Sequence, residues 1–219
     1  MTAVARMAVL DARTVAPYRY QGLLVFALGT LVFANKPTLL PLVLVFFFTS
    51  QFAPYPFNVA DKADLETLYG VLPLPRRSVL YGHYAWAVTL FAATASVSAA
   101  LAMFFARARA VPFSGDALIT ALTLAWALFA VTIAIQFPLL VWFGYTRAGV
   151  LGVVLPLAVV VGAVYRLHLT MPSTQVWRPA LWIAGVIALV ASAAVAVAVD
   201  RSRAGASRSK SHATKFRSR

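Results

Sequence analysis

Between Tyr20 and Val199 the chain falls into six apolar stretches, at about 20–34, 39–53, 79–105, 117–143, 149–166 and 180–199. Nothing else in the sequence limits the possible folds as strongly. A helix needs roughly 20 apolar residues to cross the hydrocarbon of a bilayer. In lipid each segment must also satisfy its own backbone hydrogen bonds, as a helix does. Only 11% of the residues are charged and 62% are hydrophobic, where soluble domains carry about 25% charged residues. So little polar surface cannot cover a soluble core of this size. The expected fold class is therefore an all-α membrane protein with six transmembrane helices. Six spans use about 120 residues, which leaves tails and loops but no room for a further catalytic domain.

The first two stretches are short. Asn35-Lys36-Pro37-Thr38 separates them as a tight turn, and Pro37 and Pro41 suit the start of a helix. Merging the two into one span would leave Lys36 at mid-membrane, where a charge is costly. The cations then set the orientation. With the N-terminus inside, the cytoplasmic side holds Arg6, Arg13, Arg19, Lys62, Arg76, Arg77, Arg147, Arg201, Arg203, Arg208, Lys210, Lys215, Arg217 and Arg219. The outer side holds only Lys36, Arg107, Arg109, Arg166 and Arg178. Lys and Arg collect on the cytoplasmic side, so an N-in, C-in arrangement is expected. Most of the net charge of +13 is then a topology signal rather than a mark of nucleic-acid binding.

Three regions follow. Residues 1–19 read as an N-terminal cytoplasmic interfacial helix, with Arg6 and Arg13 on one face and Val4, Ala8 and Val15 on the other; Asp11 interrupts that apolar face. Residues 20–199 form the transmembrane domain. Residues 200–219 are a Ser/Arg/Lys-rich tail with little apolar content, expected to be disordered.

The spans are poor in chemistry. The six acids, Asp11, Asp61, Asp64, Glu66, Asp116 and Asp200, lie outside the spans or at their ends, whereas ion-coupled transporters usually need carboxylates inside. There is no cysteine, the three histidines show no ligand spacing, and no phosphate-binding loop is present. No catalytic or metal site is identified on the chain, and no cofactor. His83 reads as an interfacial or helix-packing histidine. The polar residues in the spans are neutral, and Gln51 and Gln136 are the largest, each beside aromatics. Phe48, Gln51, Phe52, Phe129 and Gln136 are candidates for a path taken by an amphipathic solute. Interhelical hydrogen bonding and aromatic packing against lipid remain the alternative.

The longest internal polar stretch is the elbow at 54–78. Asn58 can cap a helix, and Asp61, Asp64 and Glu66 favour its positive end. Leu65, Leu68 and Tyr69 share a face, Gly70 ends the helix, and Pro73 and Pro75 break any continuation. Arg76 and Arg77 stand at the start of the third span. A short helix with an acidic side is poorly suited to an anionic leaflet and better suited to a protein partner.

Asp64-Leu65-Glu66-Thr67-Leu68, Leu72-Pro73-Leu74-Pro75-Arg76-Arg77 and Tyr81-Gly82-His83-Tyr84 together resemble the cytoplasmic elbow of ABC-2-type transporter permeases, with His83 where a lysine or arginine is common. The resemblance covers roughly residues 1–200. It implies an ABC exporter subunit in a bacterial plasma membrane that dimerises with a second permease copy or paralogue. A separate ATP-binding subunit, carrying ATP and Mg, would dock on a coupling helix at 61–70 between helices 2 and 3. The docking residues implied are Asp61, Asp64, Leu65, Glu66, Leu68, Tyr69, Arg76 and Arg77. The resemblance also implies an extracellular segment before the last span, at 167–179. The Arg76-Arg77 pair points towards export of a drug, peptide or lipid. A permease for haem or cytochrome assembly and a stand-alone secondary transporter or channel are the alternatives.

Overall fold

The computed structural model describes residues 2–62, 76–146, 154 and 174–217, and every regular element among them is helical. In chain order these are α1 (Ala3–Val15), α2 (Arg19–Phe33), α3 (Leu40–Phe52), α4 (Tyr55–Lys62), α5 (Arg76–Ala108), α6 (Gly115–Phe143) and α7 (Thr174–Arg217), with a 3₁₀ turn at Ala16–Tyr18. Among the described residues four segments are long and apolar enough to cross a membrane: Leu40–Lys62, Arg77–Ala108, Gly115–Phe143 and Val176–Ser202. The stretch expected at 149–166 lies outside the described residues except for Val154.

The expected pair at 20–34 and 39–53 is a helical hairpin rather than one merged rod. Lys36 N–H donates to Phe33 O at 2.8 Å and Leu39 N–H to Lys36 O at 3.0 Å, which leaves Lys36 exposed at the tip. Pro41 falls in the first turn of α3, where its missing N–H leaves no bond unmade. Phe26 of α2 meets Phe48 of α3 edge-on at 5.6 Å. At 1.5 Å per residue α2 reaches about 22 Å, short of the ~30 Å hydrocarbon core. The second stretch runs further than its sequence suggests, because the helical path resumes as α4 and continues to Lys62. Pro54 and Pro56 do not end it. They fall at the start of α4, where the first N–H groups have no intrahelical acceptor anyway.

Helix α6 lies at the centre, packed against α3, α5 and α7. Its core face includes Trp126, Phe129, Ile133 and Phe137, which meet Val45, Phe52, Tyr84, Phe91, Leu189 and Ala196 of the neighbours in one apolar cluster. Pro138 interrupts this helix. It has no N–H for the carbonyl four residues back, and in lipid such a carbonyl needs a partner. Ser192 of α7 supplies one, donating to Ala134 O at 3.1 Å. The serine proton being committed there, the Tyr84 hydroxyl of α5 donates to Ser192 Oγ at 2.7 Å. One proline thus creates a polar node that joins three helices.

Helix α7 differs from expectation at its far end, where it runs through Arg217 into the basic segment expected to be disordered. Residues 200–217 contain one glycine and no proline, and their alanines, arginines and lysines are good helix formers.

Candidate functional site

The elbow joins the α3–α4 path to α5, and its flanks are described while its middle is not. Asp64, Leu65, Glu66, Leu68 and Tyr69 lie outside the described residues, as does the side chain of Arg76. Arg77 is exposed in the first turn of α5.

The leading flank is tied to the chain that follows α6. The turn there is made by Gly144, whose φ of +75° few other residues adopt. It brings Thr146 back onto the end of α4. Thr146 donates both its N–H, at 2.7 Å, and its hydroxyl, at 2.8 Å, to the same Asp61 oxygen, Oδ2. Burial raises the Tyr145 phenol between them above its ordinary range.

The trailing flank is tied to the N-terminal helix. Thr2 caps α1, accepting from Ala5 N–H at 3.4 Å. The buried stripe of α1 is Met7, Asp11 and Val15, so Asp11 lies on the buried face rather than breaking an apolar one. The helix packs along α5, where Gly82 gives it room: a Cβ there would stand 2.5 Å from that of Met7. One position on, His83 Nδ1 donates to Asp11 Oδ2 at 2.7 Å, with the two residues 3% and 2% exposed. The imidazole also lies 4.6 Å from the Phe57 ring of α4, and Phe57 in turn lies 5.0 Å from Phe137 of α6. Elbow flank, N-terminal helix and central helix therefore meet at one buried point. Sequence reasoning placed Asp11 and His83 separately and did not pair them. The available signal was the spacing of Met7, Asp11 and Val15, which puts the acid in line with apolar neighbours.

The candidate path residues divide. Phe48 and Phe52 stack at 4.6 Å, and Phe52 shares the core cluster with Phe129. Gln51 is exposed. Gln136 is 1% exposed and its Oε1 has no hydrogen-bond partner; one turn earlier, Thr132 is 4% exposed and its Oγ1 also has none. Phe48 lines an apolar hollow of about 240 Å³ between α2 and α3 with Phe26, Gly29 and Leu44.

The far end is locked by polar contacts. Arg178 of α7 donates to Asp116 Oδ1 at 2.7 Å and to Thr120 Oγ1 at 2.6 Å. Trp182 stacks on Trp126 at 4.9 Å and donates to Thr123 Oγ1 at 3.2 Å. Trp126 returns a bond to Trp182 O at 3.2 Å.

The comparison with known families is decisive. The family described as "ABC-2 family transporter protein" matches residues 14–199. The chain belongs to the ABC-2 transporter family. No curated protein and no solved structure matches it. As an ABC-2 permease it is a multi-pass membrane protein of transport, and the match covers both elbow flanks, the central helix and most of α7. It takes in Thr14 and Val15 at the end of α1 but stops short of Asp11.

Proposed function

We propose that this permease is the transmembrane subunit of an ATP-driven exporter, with six spans, both termini in the cytoplasm and a coupling helix at 61–70. A separate ATP-binding subunit docks on that helix through Asp64, Leu65, Glu66, Leu68 and Tyr69, with Arg76 and Arg77 at its edge, and supplies ATP and Mg. A second permease copy or a paralogue completes the transporter. The observation that carries this reading is the anchoring of both elbow flanks, Asp61 to Thr146 and His83 to Asp11. A force applied to the elbow would reach α1, α5 and α6 through them. The cargo is hydrophobic or amphipathic. Its path involves Phe48, Gln51, Phe52, Phe129 and Gln136, and the unpartnered Gln136 oxygen in an aromatic setting supports that choice.

The test is purification of the tagged permease from its own membranes. An ATPase is expected to accompany it, and Glu66→Ala with Leu68→Ala is expected to release that ATPase while leaving the permease folded. ATPase association unchanged in the double variant overturns docking on the elbow. Solute movement down a gradient by the permease alone, without ATP, supports a stand-alone transporter instead.

A further inference from the structure

Asp61 has a second reading that the docking role does not cover. Its Oδ2 is already occupied by two hydrogen bonds from Thr146, one from the backbone and one from the hydroxyl. Two donors on one residue fix direction as well as distance. The arrangement is built from both sides. Asp61 is the second-last residue of α4, on the leading flank of the elbow. Gly144, with its left-handed φ, ends α6 and turns the chain so that the next amide but one faces the carboxylate. A Cβ at Gly144 would stand 3.6 Å from Asp61 Oδ1, so that turn lies directly against the acid.

Resting on the functional reading above, we propose that Asp61 is a positioning residue in energy coupling and that the ATP-binding subunit does not touch it. It fastens the leading flank of the elbow to the connection after α6. A displacement of the elbow is then delivered to the central helix directly, as well as along the backbone into α3 and α5. The contact needs one acceptor oxygen, not a negative charge. That requirement separates it from a docking role, in which the acid would face a cationic partner surface.

The permease has no cysteine, so a single reporter can be placed without background. Leu118→Cys, at the far end of α6, lines the cleft with Met103, Arg107 and Phe113. Its rate of labelling by a membrane-impermeant maleimide, in the purified complex with and without ATP, reads the motion of α6. With Asp61 intact, ATP is expected to change that rate at least about fivefold, the low end of a typical coupling between sites. Asp61→Ala should shrink the ATP effect below about twofold while the ATPase stays bound, and Thr146→Val, which loses the hydroxyl bond but keeps the backbone one, should shrink it by less. The two together should be no worse than Asp61→Ala alone. Asp61→Asn keeps the acceptor and should retain the effect. The proposal is overturned if Asp61→Ala releases the ATPase while Thr146→Val does not, if Asp61→Asn behaves like Asp61→Ala, or if both single variants leave the ATP effect intact. If the intact permease carries no ATPase at all, the functional reading falls and takes this inference with it. If the intact permease responds to ATP and the variants do too, only this inference falls.

Discussion

The Asp11–His83 pair gives the most exposed test of how the N-terminal helix is held. Both groups are out of solvent, at 2% and 3% exposure, and meet at 2.7 Å. Breaking a buried pair by removing one member costs about 3–5 kcal/mol, because the survivor is left uncompensated. His83→Phe leaves the buried Asp11 side chain with no partner and belongs at the top of that range, even though a phenyl ring can keep the tilted contact with Phe57. Asp11→Ala leaves the His83 ring nitrogen without its acceptor and belongs near the bottom. Asp11→Asn keeps an acceptor oxygen and should cost least. For a chain of this size each kcal/mol moves the thermal midpoint by about 2–4 °C, so the expected losses span about 6–20 °C in detergent. The double variant Asp11→Ala/His83→Phe should cost clearly less than the sum of its parts, since neither stranded group remains. Where α1 lifts off before the bundle melts, the same cost is read as trypsin cleavage at the exposed Arg13, rising in the same order. A shift under about 2 °C for Asp11→Ala with no gain in cleavage, or strict additivity in the double variant, refutes the reasoning.

Three further outcomes follow from the polar contacts between helices. Ser192→Ala strands the Ala134 carbonyl and the Tyr84 hydroxyl, each worth about 1–3 kcal/mol when left unpaired. Pro138→Ala in the same chain should recover part of the loss by restoring the missing N–H; failure to recover in thermal melts counts against the node. Thr132→Val removes a buried hydroxyl with no partner and should leave the midpoint unchanged or raise it by up to about 1 kcal/mol equivalent; a fall means that the hydroxyl is bonded. Arg178→Lys keeps the charge but loses the fork that reaches Asp116 and Thr120 together, so the midpoint should fall at high salt as well as low, and a loss abolished by salt would mean charge alone matters.

Much of the framework was legible because lipid makes a simple demand. The described apolar runs became helices, the Lys36 turn became a hairpin tip, and Pro41 took up its position at a helix start. What escaped was set by contacts between distant segments. The apolar stretch ended at 53 in sequence, yet the helical path continues to Lys62, because Pro54 and Pro56 fall at a helix start, where a proline removes no bond. Asp11 read as a flaw because its partner lies 72 residues away. Gln51 and Gln136 looked alike in sequence, but one faces out and the other is buried; nothing local to either distinguishes them. The core of the elbow, from Asp64 to Tyr69, lies outside the described residues, so its residues stand on resemblance alone.

The acids carry the deeper lesson. A chain with six of them against nineteen cations invites the view that carboxylates have little to do. Yet Asp11 ties α1 to α5, Asp61 ties α4 to the end of α6, and Asp116 ties α6 to α7. Each bond crosses between elements, and each sits near a helix end rather than mid-bundle. Placement at the ends is what a bilayer permits, since a carboxylate deep in hydrocarbon is costly. The apolar middle supplies packing without direction, while the acids supply the directional contacts between elements. Two of the three lie at the elbow end, and there a push from outside the membrane would be shared by α1, α5 and α6 instead of bending one helix alone.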